Sequence, residues 1–135
     1  MIACRSPRPA ERAPSVAALA SWLGVSLIGL ALLPAGSVLR SLWLAPWCEE
    51  VVWRWGLQTP LARRFGPGAA VCLSALAFGL AHLLFARDQA DAWRAAATAL
   101  PAAWIGLVFA RSGRLAPCVA WHAGFNLVWL ATHGP

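Results

Sequence analysis

Residues 48–54, Cys-Glu-Glu-Val-Val-Trp-Arg, place two adjacent carboxylates and one arginine inside an otherwise apolar stretch of the chain. An ionised carboxylate in the hydrocarbon of a membrane costs about 3 kcal/mol or more, so such residues usually face a protein interior or a water-filled cavity. Glu49 and Glu50 therefore need partners on neighbouring helices, and His82 and His122 lie in two other apolar stretches. The pattern predicts a polar site enclosed by membrane helices.

The composition of the 135-residue chain is typical of a membrane protein, since 60% of its residues are hydrophobic and 12% are charged. A soluble domain carries about twice that charged fraction. The net charge is +6, from 11 basic residues, all of them arginine, against 5 acidic ones. The arginines lie between apolar runs, where they set topology and meet lipid headgroups. We therefore expect the lipid bilayer as a partner and no nucleic acid.

Five apolar segments predict an all-α fold, a polytopic membrane helical bundle of about five transmembrane helices. The predicted segments span about residues 13–39, 42–61, 69–86, 95–110 and 115–132. The sequence predicts a turn at 66–68, a polar loop at 87–94 and a basic turn at 111–114. We interpret residues 1–135 as a single membrane domain. The basic start and the first apolar run also resemble a signal peptide, but we predict that this helix is retained.

The distribution of arginine predicts the orientation of the bundle. With the N-terminus in the cytoplasm, seven arginines lie inside and three lie outside. The seven are Arg5, Arg8, Arg12, Arg63, Arg64, Arg111 and Arg114, and the three are Arg40, Arg87 and Arg94. The positive-inside rule therefore favours a cytoplasmic N-terminus and an external C-terminus.

The polar residues of three predicted helices reach a similar depth in the membrane. At a rise of about 1.5 Å per residue, Glu49, His82 and Asn126 lie roughly 6–10 Å below the outer ends of their helices, and His122 about 15 Å. All four residues therefore fall in the outer half of the bilayer. The sequence predicts that they meet there.

The spacing of these residues along their helices adds detail to this prediction. Glu50 and Arg54 are four residues apart, so they share a helix face and can form an ion pair. Glu49 points about 100° away and is available for another role. His122 and Asn126 are also four residues apart, which favours a donor pair aimed at one oxyanion.

Three motifs in this order resemble those of the CAAX-processing and bacteriocin-processing intramembrane proteases, known as the CPBP or Abi family. The motifs are Glu-Glu-x-x-x-Arg at 49–54, Phe-x-x-x-His at 78–82 and His-x-x-x-Asn at 122–126, each on its own predicted helix. The resemblance covers about residues 42–130, which we interpret as the catalytic core. It implies a membrane-embedded endopeptidase.

The resemblance also implies catalytic roles for matching residues. Glu49 is the expected general base that activates a water molecule, and His82 holds that water. His122 and Asn126 are the expected oxyanion hole. The same family pattern is compatible with two mechanisms, because Glu49, His82 and His122 could instead bind zinc. We predict a reaction without a metal cofactor, since the His-Glu-x-x-His spacing is missing from the sequence.

Supporting roles and substrate follow from the same resemblance. Glu50 and Arg54 are expected to orient and neutralise groups within the site, and Phe78 to position His82. The expected substrate is a membrane-anchored protein or peptide, or a protein with a C-terminal tail. Small members of this kind resemble bacterial enzymes paired with C-terminal sorting signals, so the expected location is the bacterial inner membrane.

Two other interpretations of the same residues remain open at this stage. The buried charges could belong to a non-catalytic membrane scaffold or to an ion or proton relay. Alternatively, Cys48 could be a nucleophile activated by His82 or His122. A cysteine nucleophile does not explain two adjacent glutamates, and the four cysteines form no Cys-x-x-Cys pair.

Overall fold

The computed structural model describes residues 37–133, together with Ser21, Gly24 and Ile28. Within these residues every regular element is a helix, which confirms the predicted all-α class. The first predicted helix, 13–39, lies almost entirely outside the described residues. The described part of the chain forms four helices, so the prediction of five membrane spans is not confirmed.

The four helices follow one another with short connections. Helix α1 runs without interruption over residues 40–65, through the consecutive stretches Arg40–Leu44, Ala45–Glu50, Val51–Gln58 and Thr59–Phe65. The other helices are α2 (Pro67–Leu83), α3 (Gln89–Ser112) and α4 (Leu115–His133). The breaks before α2 and before α4 fall at Gly66 and Gly113, which have φ angles of 84° and 66°. Only glycine adopts such angles readily, and both breaks lie at predicted turns.

The predicted polar loop at 87–94 is wrong, because α3 already begins at Gln89. The side chain of Asp88 caps the helix by accepting a hydrogen bond of 2.8 Å from the backbone N–H of Asp91. Asp91 then forms an ion pair with Arg94 one turn later. A cap and an i,i+3 pair stabilise a helical turn in a segment whose charges alone favour a loop.

Helix α3 is the one helix among the described residues that is long and apolar enough to cross a membrane by length and composition. It has 24 residues and a mean hydropathy of 1.3 over its most apolar window. Large apolar side chains also lie on the outer surface of the other helices, among them Leu76 and Leu80 on α2 and Val128 on α4. Such outward-facing apolar surface is what a lipid environment requires.

Helix α1 departs from α-helical geometry in the two stretches that precede its prolines. Arg40–Leu44 and Val51–Gln58 have the wider π-helical hydrogen-bond pattern, and Pro46 and Pro60 follow. A proline ring clashes with the carbonyl four residues earlier and removes one N–H donor, so the preceding turn opens. Thr59 compensates for the opening, since its hydroxyl donates a 2.8 Å hydrogen bond to the carbonyl of Arg54. The two acidic residues lie between these two wide segments.

Contacts between helices define their relative directions. Arg54 and Gln58 of α1 bond to carbonyls of α3 at the same offset of 48 residues, so α1 and α3 run parallel. In the contacts of α2 and of α4 with α3, residue numbers rise on one helix as they fall on the other, so α2 and α4 are antiparallel to α3. The turns after α1 and after α3 therefore lie at one end of the bundle. The core of the bundle is built around Ala75, Phe78 and Ala102.

Candidate active site

A cavity of about 120 Å³ lies between the four helices, toward the end opposite the two glycine turns. It is lined by Glu49, Glu50, Arg54, Phe78, His82, Thr98, Pro101, Ala102, Ile105, His122, Phe125 and Asn126. All seven residues that the sequence singled out for the site are in this lining. The structure thus brings the three motifs together in one place, and it adds a wall from α3.

Glu50 is fully buried and uses both of its carboxylate oxygens. Its Oε2 accepts a hydrogen bond of 2.7 Å from Nε of Arg54, which confirms the ion pair expected from the spacing. Its Oε1 lies 2.7 Å from Nδ1 of His122. Because a carboxylate only accepts hydrogen bonds, Nδ1 of His122 carries the proton in this pair. Glu50 therefore fixes both the tautomer and the direction of the His122 ring.

Arg54 is also fully buried, and its remaining guanidinium nitrogens bond to α1 and α3. Nη1 donates to Oε1 of Gln58 at 2.8 Å, and Nη2 donates to the carbonyl of Ala102 at 3.2 Å. The amide of Gln58 in turn donates to the carbonyl of Gly106 at 2.8 Å. We call Glu50, Arg54 and Gln58 the buried polar chain.

Sequence reasoning missed Gln58, although a signal for it exists. Gln58 follows Arg54 by four residues, just as Arg54 follows Glu50, so all three side chains lie along one stripe of α1. Gly106 makes room for this stripe. A methyl group at Gly106 would lie 3.1 Å from Nη1 of Arg54 and 3.2 Å from Oε1 of Gln58.

Glu49 has a different environment from its neighbour. Its side chain is 34% exposed, yet its Oε2 is buried and makes no hydrogen bond to any group in the described part of the chain. That oxygen lies 3.8 Å from Nε2 of His122, which is too long for a hydrogen bond. Buried polar atoms are almost always bonded, so this oxygen is available to a water molecule or a substrate.

His82 is oriented by the helix that carries it. Its Nδ1 lies 2.9 Å from the carbonyl of Phe78, and since a carbonyl cannot donate, Nδ1 carries the proton. In the neutral ring Nε2 is then an acceptor. The Phe78 ring stacks on the imidazole with centroids 4.3 Å apart, and it meets the His122 ring edge-on at 6.2 Å. Phe78 thus packs against both histidines.

Asn126 lines the cavity but already has a partner. Its Nδ2 donates a hydrogen bond of 2.8 Å to the carbonyl of Ser41, which connects α4 to the beginning of α1. The amide nitrogen carries two hydrogens, so one hydrogen remains for a group in the cavity. The predicted role in an oxyanion hole therefore depends on that second hydrogen.

The alternatives considered from the sequence also have structural counterparts. Within residues 37–133, no group of three or more His, Cys, Asp or Glu side chains is arranged to hold a metal ion. Cys48 is half-buried, and it is not in the lining of the cavity described above.

Comparison with known proteins identifies a family for this chain. The family model described as Type II CAAX prenyl endopeptidase Rce1-like matches residues 31–128, which include all three motifs and every residue that lines the cavity. Neither the curated proteins nor the solved structures contain a significant match.

Proposed function

The chain belongs to the Type II CAAX prenyl endopeptidase Rce1-like family, whose members are membrane-embedded proteases, and we propose that its cavity hydrolyses a peptide bond with water activated by Glu49. The observation that carries this proposal is the buried Oε2 of Glu49, which has no hydrogen bond within the described residues and faces Nε2 of His122 at 3.8 Å. A base with an unsatisfied oxygen beside two oriented histidines supports activation of a water molecule.

The proposed reaction assigns one step to each side chain. Glu49 removes a proton from water while Nε2 of His82 accepts a hydrogen bond from the same water. The hydroxide attacks the carbonyl carbon of the substrate. As the intermediate collapses, the amine leaving group takes the proton from Glu49, so water is added across the peptide bond.

Stabilisation of the oxyanion falls to His122 and Asn126 in this proposal. Because Nδ1 of His122 donates to Glu50, Nε2 can donate to an oxyanion only when the ring is protonated. The second amide hydrogen of Asn126 supplies the other donor. Hydrogen bonds of this kind, fixed before the reaction, are usually the largest single contribution to catalysis.

We further propose a reaction without a metal cofactor, on a membrane-anchored or C-terminally tailed protein. The sequence lacks the His-Glu-x-x-His spacing of many zinc proteases, which supports a reaction without a metal. Dialysis against a zinc chelator tests it, because a zinc enzyme loses activity and regains it with added zinc. Unchanged activity after dialysis supports the glutamate mechanism.

The proposed location is a bacterial inner membrane, with the N-terminus inside and the site toward the outer leaflet. The exposed arginines Arg63, Arg64, Arg111 and Arg114 lie at the two turns that share one end of the bundle. The positive-inside rule places that end in the cytoplasm, and the cavity lies toward the other end. Accessibility of single introduced cysteines to an impermeant thiol reagent tests this orientation.

A co-expression experiment tests the function. Membrane-anchored or C-terminally tailed proteins encoded beside this chain are candidate substrates, and their size is followed by electrophoresis. We expect processing to be lost in Glu49→Gln, His82→Ala and His122→Ala, and kept in His133→Ala, a histidine at the exposed end of α4. Normal processing by all the cavity variants would show that the charges form a scaffold rather than a catalytic site.

A further inference from the structure

Gln58 is a buried amide at a distance from the reacting groups. It is 2% exposed, and it does not line the cavity. Both ends of its amide are bonded, one to Arg54 within α1 and the other to the carbonyl of Gly106 on α3, each at 2.8 Å. An amide in this setting does more than fill space, because each bond constrains the direction of a partner.

The constraint on Arg54 reaches the cavity through two further hydrogen bonds. Arg54 donates to Oε2 of Glu50 at 2.7 Å, and Oε1 of Glu50 lies 2.7 Å from Nδ1 of His122. Each of these groups is charged or buried, so none can turn without leaving a donor or an acceptor unpaired. The orientation of the His122 ring is thus linked to the contact between α1 and α3.

We infer that Gln58 is a positioning residue for proteolysis, which anchors Arg54 to α3 and so directs Nε2 of His122 into the cavity. This inference rests on the proposed function. Without the Gln58 acceptor, Nη1 of Arg54 is a buried donor without a partner, and the guanidinium turns to find another one. The Glu50 carboxylate then moves together with the guanidinium of Arg54, and the His122 ring loses its orientation toward the cavity. Misplacement by about 1 Å costs on the order of 100-fold in rate.

The test variant is Gln58→Met, which keeps the length of the side chain and removes both polar ends. Its matched control is Ser74→Ala, which also removes a buried polar group, but one whose hydroxyl bonds only to the carbonyl of Val71 within α2. The assay uses a quenched fluorescent peptide fused to one transmembrane segment in phospholipid vesicles. The peptide is the one from a mixed-sequence pool that the wild-type enzyme cleaves fastest.

We expect Gln58→Met to lower kcat by about 10- to 100-fold with little change in KM, because the ring moves while the substrate contacts remain. We expect Ser74→Ala to keep both constants. A second readout is the nitrogen NMR spectrum of histidine-labelled enzyme without substrate. In Gln58→Met the imidazole signals of His122 should shift while those of His82 stay in place. A purely structural role would not shift one histidine selectively.

Wild-type kcat and an unchanged His122 signal in folded Gln58→Met would overturn the inference. If Gln58→Met does not fold, Gly106→Ala decides, since its methyl group displaces the same pair of side chains. If folded Gly106→Ala has wild-type kcat and an unchanged His122 signal, Gln58 has only a structural role. The same conclusion holds if neither variant folds. Glu49→Gln separates this result from the function itself. An active Glu49→Gln overturns the proposed reaction, whereas an inactive one upholds that reaction and leaves the positioning role to be decided by the Gln58 variant.

Discussion

Glu49 and Glu50 are neighbours in the chain, yet they belong to two regions with opposite properties. Glu50 begins the buried polar chain, in which both of its oxygens are bonded and its side chain is inaccessible. Glu49 faces the cavity, where its buried Oε2 has no hydrogen bond within the described residues. A rotation of about 100° between successive helical residues is enough to separate the two environments. Glu50 therefore fixes the orientation of its neighbours, whereas Glu49 keeps one oxygen available to a water molecule or a substrate.

The largest expected difference between Glu49 and Glu50 is in activity. Glu49→Gln removes the proposed base and should lower the cleavage rate by about 100- to 10,000-fold. Its thermal midpoint should not fall, because no bonded partner is lost. Cleavage of the quenched membrane peptide and thermal unfolding in detergent measure the two quantities. Asp91→Asn is the matched control, an acid-to-amide change on the surface at the beginning of α3. Equal activity of the two variants would contradict a base at Glu49.

The second effect is on stability and concerns the other region. Arg54→Met leaves the buried Glu50 without its cation, which should lower the free energy of unfolding by about 3–5 kcal/mol. The double variant Glu50→Leu with Arg54→Met should recover part of that loss, because it removes both charges. Activity should stay low in both, because the double variant removes the carboxylate partner of His122 and Arg54→Met removes the hydrogen bond that orients this carboxylate. Reversible unfolding in mixed micelles measures the free energies. A double variant less stable than Arg54→Met would contradict this account.

How much of this arrangement follows from the sequence depends on the range of each interaction. The Glu50–Arg54 pair follows from helical spacing alone, and the convergence of the three motifs follows from segment order and depth. The bond between Gln58 and the carbonyl of Gly106 does not, because it depends on the register between α1 and α3. No local pattern specifies that register, so the spacing along α1 indicates the stripe of Glu50, Arg54 and Gln58 but not its contact with α3.

Local chemistry explains the other differences from the sequence prediction. The charges of 87–94 favour a loop by composition, but the capping side chain of Asp88 starts a helix there. The π-helical stretches of α1 precede Pro46 and Pro60 and are caused by them. A hydropathy pattern does not predict these stretches, because it contains no information on backbone hydrogen bonds. Both cases depend on hydrogen bonds of individual residues, whereas the all-α fold class depends on the average hydropathy of whole segments.

A smaller effect on stability is expected at the contact between α1 and α3. Gly106→Ala should lower the free energy of unfolding by about 1–3 kcal/mol, because its methyl group forces Arg54 and Gln58 to move. Gly124→Ala is the matched control, since no atom of the described residues lies within 4 Å of a methyl group there, apart from the backbone of its own helix. That control should be neutral or stabilising by about 0.5–1 kcal/mol, as alanine favours the helix. Equal effects of the two substitutions in unfolding experiments would contradict a tight fit at Gly106.

The smallest expected effect concerns Cys48, which directly precedes the two glutamates. We expect Cys48→Ala to retain the cleavage rate of the wild type, because the thiol lies outside the cavity lining and the proposed reaction uses no thiolate. Cys72→Ala, at an exposed position on α2, is the matched control. If Cys48 were the nucleophile, its removal would abolish cleavage while Cys72→Ala stayed active. In that case His82 or His122 would be the general base that deprotonates the Cys48 thiol, and Glu49 would have no catalytic role.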